Sequence, residues 1–187
     1  MYESLEELQK NCTNCKQCKL SNTRKNVVFG VGNIEAKAMF IGEGPGADED
    51  EQGVPFVGKA GQLMNKALEA LEIKREEIYI TNIVKCRPPG NRVPEQEEAE
   101  VCLNYLRNQV MLIKPQIIVL LGNTALKNII DQGLSITRAR GKWIDKKGIF
   151  YMPTYHPSAL LRDESKKIDF YRDLKEVKTK LGVIISK

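Results

Sequence analysis

With 187 residues, 42% of them hydrophobic and 28% charged, the chain has the size and balance of one globular domain with a proper core. Its longest apolar runs, such as Ile117 to Leu121, are far too short to span a bilayer, and its acidic, polar start is unlike a signal peptide. A membrane protein is therefore excluded and a cytoplasmic location expected, while the net charge of +5 permits nucleic-acid binding without demonstrating it.

In chain order, residues 2–10 read as a helix with Leu5 and Leu8 on one side, followed by Cys12, Cys15 and Cys18. Val27 to Phe29 reads as an edge strand ended by Gly30 and Gly32, and Ala38 to Ile41 as a short buried strand. Gly42-Glu43-Gly44-Pro45-Gly46 can continue neither strand nor helix and makes a bare loop where open α/β sheets bind ligands. It carries carboxylates, Glu43 and then Asp48, Glu49 and Asp50, where a phosphate cradle would carry Lys and Ser/Thr. That favours a base, a sugar or a developing positive charge, although a tight turn with solvated acids fits the loop equally well.

Pro55 to Gly58 is a loop with an aromatic, Phe56. Gln62 to Leu71 is helical by its apolar spacing, and Ile78 to Ile83 is a strand running into the irregular Cys86-Arg87-Pro88-Pro89-Gly90-Asn91. Pro94 opens a long helix to about Lys114, with Cys102 on its buried stripe. Gln116 to Leu121 is the third core strand, Thr124 to Ile130 a short helix, Ile149 to Met152 the fourth strand and 168–181 a last amphipathic helix. Strands alternating with helices predict a three-layer α/β/α fold around a central, mainly parallel four-stranded sheet, in one domain spanning residues 1–187.

Five cysteines, an odd number with C-x-x-C spacing, point to a metal in a reducing compartment rather than to disulfides. With His156 the only histidine, the site must be all thiolate. Four thiolates from the N-terminal segment, the proline loop and the long helix could hold an Fe–S cluster or zinc.

Several stretches together carry a family resemblance: Cys15-x-x-Cys18-x-Leu20, Gly30-Val31-Gly32-Asn33, the glycine loop 42–46, Pro55 to Gly61, Ile80 to Pro89, and His156-Pro157-x-x-Leu160-Leu161-Arg162. In this order they resemble the iron–sulfur, or family 4, uracil-DNA glycosylases. The resemblance implies a [4Fe–4S] cluster on Cys15, Cys18, Cys86 and Cys102, with Cys12 spare, although spacing alone would equally allow Cys12 and Cys15. It implies a DNA-repair enzyme that flips uracil from single- or double-stranded DNA and hydrolyses its glycosidic bond, expected to act as a monomer.

On that pattern Asn82 pairs with uracil O4 and N3–H, Phe56 stacks on the base, backbone around Gly44 contacts it, and His156 donates to O2. Each of these alone would read as a turn, core or structural residue. Better-known uracil glycosylases place an aspartate where Gly44 stands, so the water-activating role falls among Glu43, Glu49 and Asn91, in that order. Arg87, Leu160, Leu161 and Arg162 would contact DNA, the leucines as a wedge in the gap left by the flipped base. The competing readings are a non-catalytic, metal-stabilised nucleic-acid-binding module and an electron carrier, neither of which gives Glu43, Asn82 and His156 a shared purpose.

Overall fold

The computed structural model describes residues 2–186. Helix α1 (Leu5–Thr13) starts at Ser4, whose hydroxyl accepts from the Glu7 N–H (3.2 Å), so it begins and ends a few residues later than the apolar pattern predicts and includes Cys12. A 3-10 turn over Lys19–Asn22 follows. Val27 to Phe29 is no strand: the Val28 N–H bonds the Lys85 carbonyl (2.8 Å), and the Phe29 carbonyl takes side-chain donors from Thr81 and Gln109. The edge strand β1 is instead Val31–Gly32, antiparallel to the strand containing Tyr79 and Ile80.

The remaining elements are β2 (Ala38–Gly42), α2 (Ala47–Gln52), α3 (Lys59–Ala70), β3 (Tyr79–Asn82), α4 (Gln96–Ile113), β4 (Ile117–Leu121), α5 (Gly122–Ile129), α6 (Ile136–Ala139), β5 (Ile144–Lys146), β6 (Ile149–Thr154), α7 (Pro157–Arg162) and α8 (Lys166–Ile185). Helix α4 takes Glu95, not Pro94, at its cap, and Glu98 closes the capping box through the Glu95 N–H (2.8 Å).

The sheet order is β1-β3-β2-β4-β6-β5. The four central strands are parallel, as the alternation predicts, and two short antiparallel strands finish the edges, making six rather than four. Strand side chains alternate between faces with period two. Met39, Ile41, Ile118 and Leu120 face one layer with α1, α4 and α5. Phe40, Ile80, Val119 and Met152 face the other, with α3, α7 and α8.

Strand β3 lies on one side of β2 and β4 on the other, so the chain reverses direction across the sheet between β2 and β4. Their carboxyl ends diverge into loops there, which opens a crevice at the sheet's switch point. The fold thereby places the glycine loop opposite the start of α5.

Candidate active site

A pocket of about 850 Å³ opens at these carboxyl ends and is lined by the glycine loop, Phe56, Asn82, the start of α5, and His156. Gly42 pairs with Asn82 across the β2–β3 ladder, and a Cβ on Gly42 would stand 2.5 Å from both the Asn82 Oδ1 and the Phe56 ring. Only a bare backbone lets these three meet. Asn82 is buried, and among the described residues its Oδ1 has no hydrogen-bond partner. An orphaned buried carbonyl oxygen is a standing cost, and here it belongs to a residue that lines a cavity.

Phe56 is held in the left-handed region (φ 54°), a strain of about 1–3 kcal/mol for a residue with a Cβ. Arg75 secures it, donating to the carbonyls of Pro55 (2.6 Å) and Phe56 (3.3 Å) and to Asn65 Oδ1 (2.6 Å). The Phe56 and His156 rings face each other at 5.6 Å with a 34° tilt.

His156 is the N-cap of α7. Its Nδ1 accepts from the Ser158 N–H (3.2 Å) and lies 2.8 Å from the Ser158 hydroxyl. Burial, and secondarily the Arg162 cation, push the imidazole down to about 4, so it is neutral at physiological pH. With Nδ1 accepting, the ring proton belongs on Nε2, which leaves one N–H donor for a ligand. Gly122, at φ 89°, makes room for the ring: a Cβ there would stand 2.9 Å from the His156 Cβ.

The carboxylates separate in role. Glu43 reaches across the switch point, and its Oε2 accepts a short hydrogen bond from the Thr124 hydroxyl on α5. Glu49 spends both oxygens on backbone: Oε1 accepts from Val57 (2.9 Å) and Gly58 (2.8 Å), and Oε2 from Gly46 (3.1 Å). It therefore braces the glycine loop against the Phe56 loop, which competes with the expected role in activating water. Asn91, exposed and at φ 56°, lines the pocket and accepts at Oδ1 from Arg87 Nε (2.8 Å); Arg87, on the same loop, stands outside that lining. Arg92 anchors that loop to α4 through Glu98 (2.7 and 2.8 Å). Gly44 lines the pocket with its bare side toward Val84.

The expected leucine wedge needs correction. Leu160 is 1% exposed and packs in the core layer with Phe170, because successive helical residues point about 100° apart. Leu161, at 49% exposure, is the outward one, and Arg162 lines the pocket mouth.

Cys15, Cys18, Cys86 and Cys102 gather where α1, the loop after β3 and α4 meet; Cys86 feels Cys15 and Cys18, and Cys102 feels Cys86 and Cys18. Among the described residues, no group of three His, Cys, Asp or Glu side chains closes at the spacing of a single metal ion. A four-iron cluster holds its thiolates farther apart than one zinc does. The donor set fits a cluster in other ways: the Lys85 N–H points at Cys102 Sγ (3.3 Å) and Arg24 Nη1 at Cys86 Sγ (3.2 Å), the N–H···S bonds that stabilise cluster thiolates. Cys12 belongs to the same gathering, beside Cys102, Cys86 and Cys15, but lies deeper, at 2% exposure, and burial pushes its thiol up to about 12. Sequence reasoning missed Thr124, Arg75 and Lys85; of these, only Thr124 carries a signal, as a hydroxyl just beyond the strand bordering the switch point.

A mainly parallel sheet covered on both faces, with a pocket at its switch point that Asn82 lines, defines an α/β protein with a ligand-sized crevice at the carboxyl ends of its strands. The uracil DNA glycosylase superfamily model matches residues 29–178. The chain is 44% identical over 170 residues to a type-4 uracil-DNA glycosylase of Thermotoga maritima, covering 89% of this chain and 88% of that one. It is 43% identical to one of Sulfurisphaera tokodaii (94% and 84% covered) and 40% identical to one of Archaeoglobus fulgidus (94% and 92%). The chain belongs to the uracil DNA glycosylase superfamily and, within it, to the type-4 uracil-DNA glycosylases.

Proposed function

We propose that Asn82, Phe56, His156 and Glu43 form the base-excising centre of this uracil-DNA glycosylase, an enzyme of DNA repair. The observation that carries the assignment is the partnerless Oδ1 of Asn82 beside the Phe56 ring. A flipped uracil stacked on Phe56 offers that oxygen its N3–H, and its O4 accepts from the same carboxamide. Cytosine presents a bare N3 and an amino group in those places and is refused.

Excision breaks the C1′–N1 bond. The electron pair leaves with the base, charge gathers on O2, and the sugar becomes an oxocarbenium-like cation. The Nε2–H of the neutral His156 donates to O2 and lowers the energy of the departing anion. Glu43, held still by Thr124, sets a negative charge beside the sugar and positions the attacking water, whose proton it or solvent takes. Glu49 keeps the two loops at their separation, and Asn91 shapes the rim with Arg87.

Lys59, Arg92, Lys127 and Arg162 line the pocket and suit the phosphates of uracil-containing DNA, with Leu161 as the exposed apolar wedge. Cys15, Cys18, Cys86 and Cys102 would hold a [4Fe–4S] cluster, which when bound supplies a crosslink between α1, the loop after β3 and α4. Hydrolysis of a glycosidic bond moves no electrons and asks for none from it. The chain acts as one domain and as a monomer. Five free thiols suit a reducing cytoplasm, and among the described residues no helix is long and apolar enough to cross a membrane.

The test is incubation with a labelled uracil-containing oligonucleotide, followed by alkali to cut at abasic sites. Glu43→Gln and His156→Ala should each lose at least about a hundredfold in kcat while keeping the visible absorbance of the parent. Parent-like cleavage by both would refute the assignment.

A further inference from the structure

Lys85 is a lysine with no exposed surface. Its three ammonium protons are all used: Nζ donates to Thr81 Oγ1 (2.5 Å), the Asn82 carbonyl (2.8 Å) and Gln109 Oε1 (2.7 Å). The acceptors are themselves fixed. Thr81 Oγ1 donates to the Phe29 carbonyl (2.8 Å), and Gln109 Nε2 donates to the same carbonyl (2.9 Å) and to the Tyr79 hydroxyl (3.2 Å). The nest is complete in hydrogen bonds but not in charge. Among the described residues, Lys85 has no carboxylate within ion-pair distance. The ionisable groups around it are Cys102, Cys12 and Cys86.

A buried cation without a counter-charge is among the costliest things a core can hold. The ionisable neighbours that could offset it are these cysteines, which take the thiolate form when they bind iron. The other end of the same contact is the main chain of Asn82. In the turn from Asn82 to Lys85, the Ile83 and Val84 N–H groups bond the carbonyls of Gly42 (2.9 Å) and Glu43 (3.2 Å), and the Lys85 N–H reaches Cys102. Four consecutive residues thus touch the glycine loop on one side and the cysteines on the other.

We propose that Lys85 is a positioning residue that ties the cysteine site to the base-reading pocket: its ammonium neutralises the thiolates and pins the end of β3, so that the Asn82 carboxamide stays aimed at the base. The inference rests on the base-reading role given to Asn82 above. It assigns to the cysteine site a share in uracil affinity, exerted through a fixed hydrogen bond rather than through electron transfer.

The experiment compares the parent with Lys85→Met, which keeps the stem and removes the charge and the donors. Two readouts are taken on protein that carries its cluster: the inhibition constant of free uracil, and the rate at which visible absorbance bleaches in chelator. The expected result is that both worsen by at least about tenfold, the equivalent of at least one of the three buried charge-assisted hydrogen bonds removed. Asn82→Ala should lose uracil inhibition but bleach at the parent rate. If Lys85→Met does not fold, Thr81→Val, which removes one of the three acceptors at constant shape, must move both readouts the same way by a smaller factor. Faster bleaching with parent-like uracil inhibition overturns the proposal, as does weaker inhibition with parent-like bleaching or no change in either. Parent-like uracil inhibition in Asn82→Ala is a different failure: it removes the base-reading role itself, whatever Lys85→Met does.

Discussion

Replacing Asn82 by alanine should make the enzyme far worse and the free protein no less stable. In the complex, two uracil groups, N3–H and O4, lose their partner in a site closed to water. Each unpaired group costs about 1–3 kcal/mol, together about 2–6 kcal/mol, or about 30-fold to about 10⁴-fold in kcat/KM. In the free protein the sign reverses. The Oδ1 is buried without a partner, so its removal relieves about 1–3 kcal/mol of desolvation, against about 1 kcal/mol for the small cavity left behind. The denaturant midpoint should therefore stay or rise by the equivalent of up to about 2 kcal/mol, with an unchanged slope. Steady-state excision on a uracil oligonucleotide and urea unfolding of the same preparation measure the two halves. A variant that is less stable by more than about 1 kcal/mol, yet excises within tenfold of the parent, would show that Asn82 serves the fold and not the base.

Three further outcomes follow from the same geometry. Because His156 titrates at about 4 in the fold and at 6.5 as a free side chain, the folded state binds fewer protons. Its contribution is complete above pH 6.5 and is lost as pH falls toward 4, by about 2 kcal/mol once water in the open pocket is allowed for; unfolding of His156→Gln across that window should show a flatter pH dependence. Leu160→Ala should cost about 2–4 kcal/mol in chemical denaturation, whereas Leu161→Ala should shift stability by less than about 0.5 kcal/mol yet weaken binding to a uracil-containing duplex in a gel-shift assay. Cys18→Ser should lose most of the visible absorbance and iron content and Cys12→Ser should keep both; the reverse result would move the ligand set to Cys12 and Cys15.

Three of the four parallel strands were legible as apolar runs, and the fourth, β3, by its alternating, β-rich composition. Burial on both faces demands such a run, and Ile117 to Leu121 is the clearest case. Val27 to Phe29 has the same composition and forms no strand. What distinguishes it is where its backbone bonds go, to Lys85 and to side chains of Thr81 and Gln109, and composition does not encode that. Strand β5 escaped notice because Ile144–Lys146 is short, half-exposed and polar, and its hairpin turn at Lys147 and Gly148 (φ 55° and 78°) is its strongest mark. In the site, residue types were readable but orientation was not. Glu43 and Glu49 are both carboxylates of one acidic stretch, and only the fold shows one bonded to a side chain across the switch point and the other saturated by backbone N–H groups. Leu160 and Leu161 are adjacent and identical, and a helical turn alone divides them into core and surface.

The costs in this molecule gather in one place. A strained Phe56, an orphaned Asn82 oxygen, an imidazole kept from its proton and a buried lysine without a carboxylate all lie on or directly behind the pocket wall. The strained backbone and the orphaned oxygen each cost about 1–3 kcal/mol and the buried cation costs more, and a fold of this size cannot carry several such costs unless something else overdetermines the same segments. Around the pocket the bracing is visible: Arg75 on the Phe56 loop, Glu49 between two loops, and Arg92 on Glu98 behind the rim. Among the described residues, the strand end that carries Asn82 has no comparable ion pair. Its support is the Lys85 nest and the contact of the Lys85 N–H with Cys102 on α4. Under the proposed cluster, a crosslink at that point would brace this wall of the site, and a hydrolase with no use for electrons would have a physical reason to keep four cysteines beside the residue proposed to read the base.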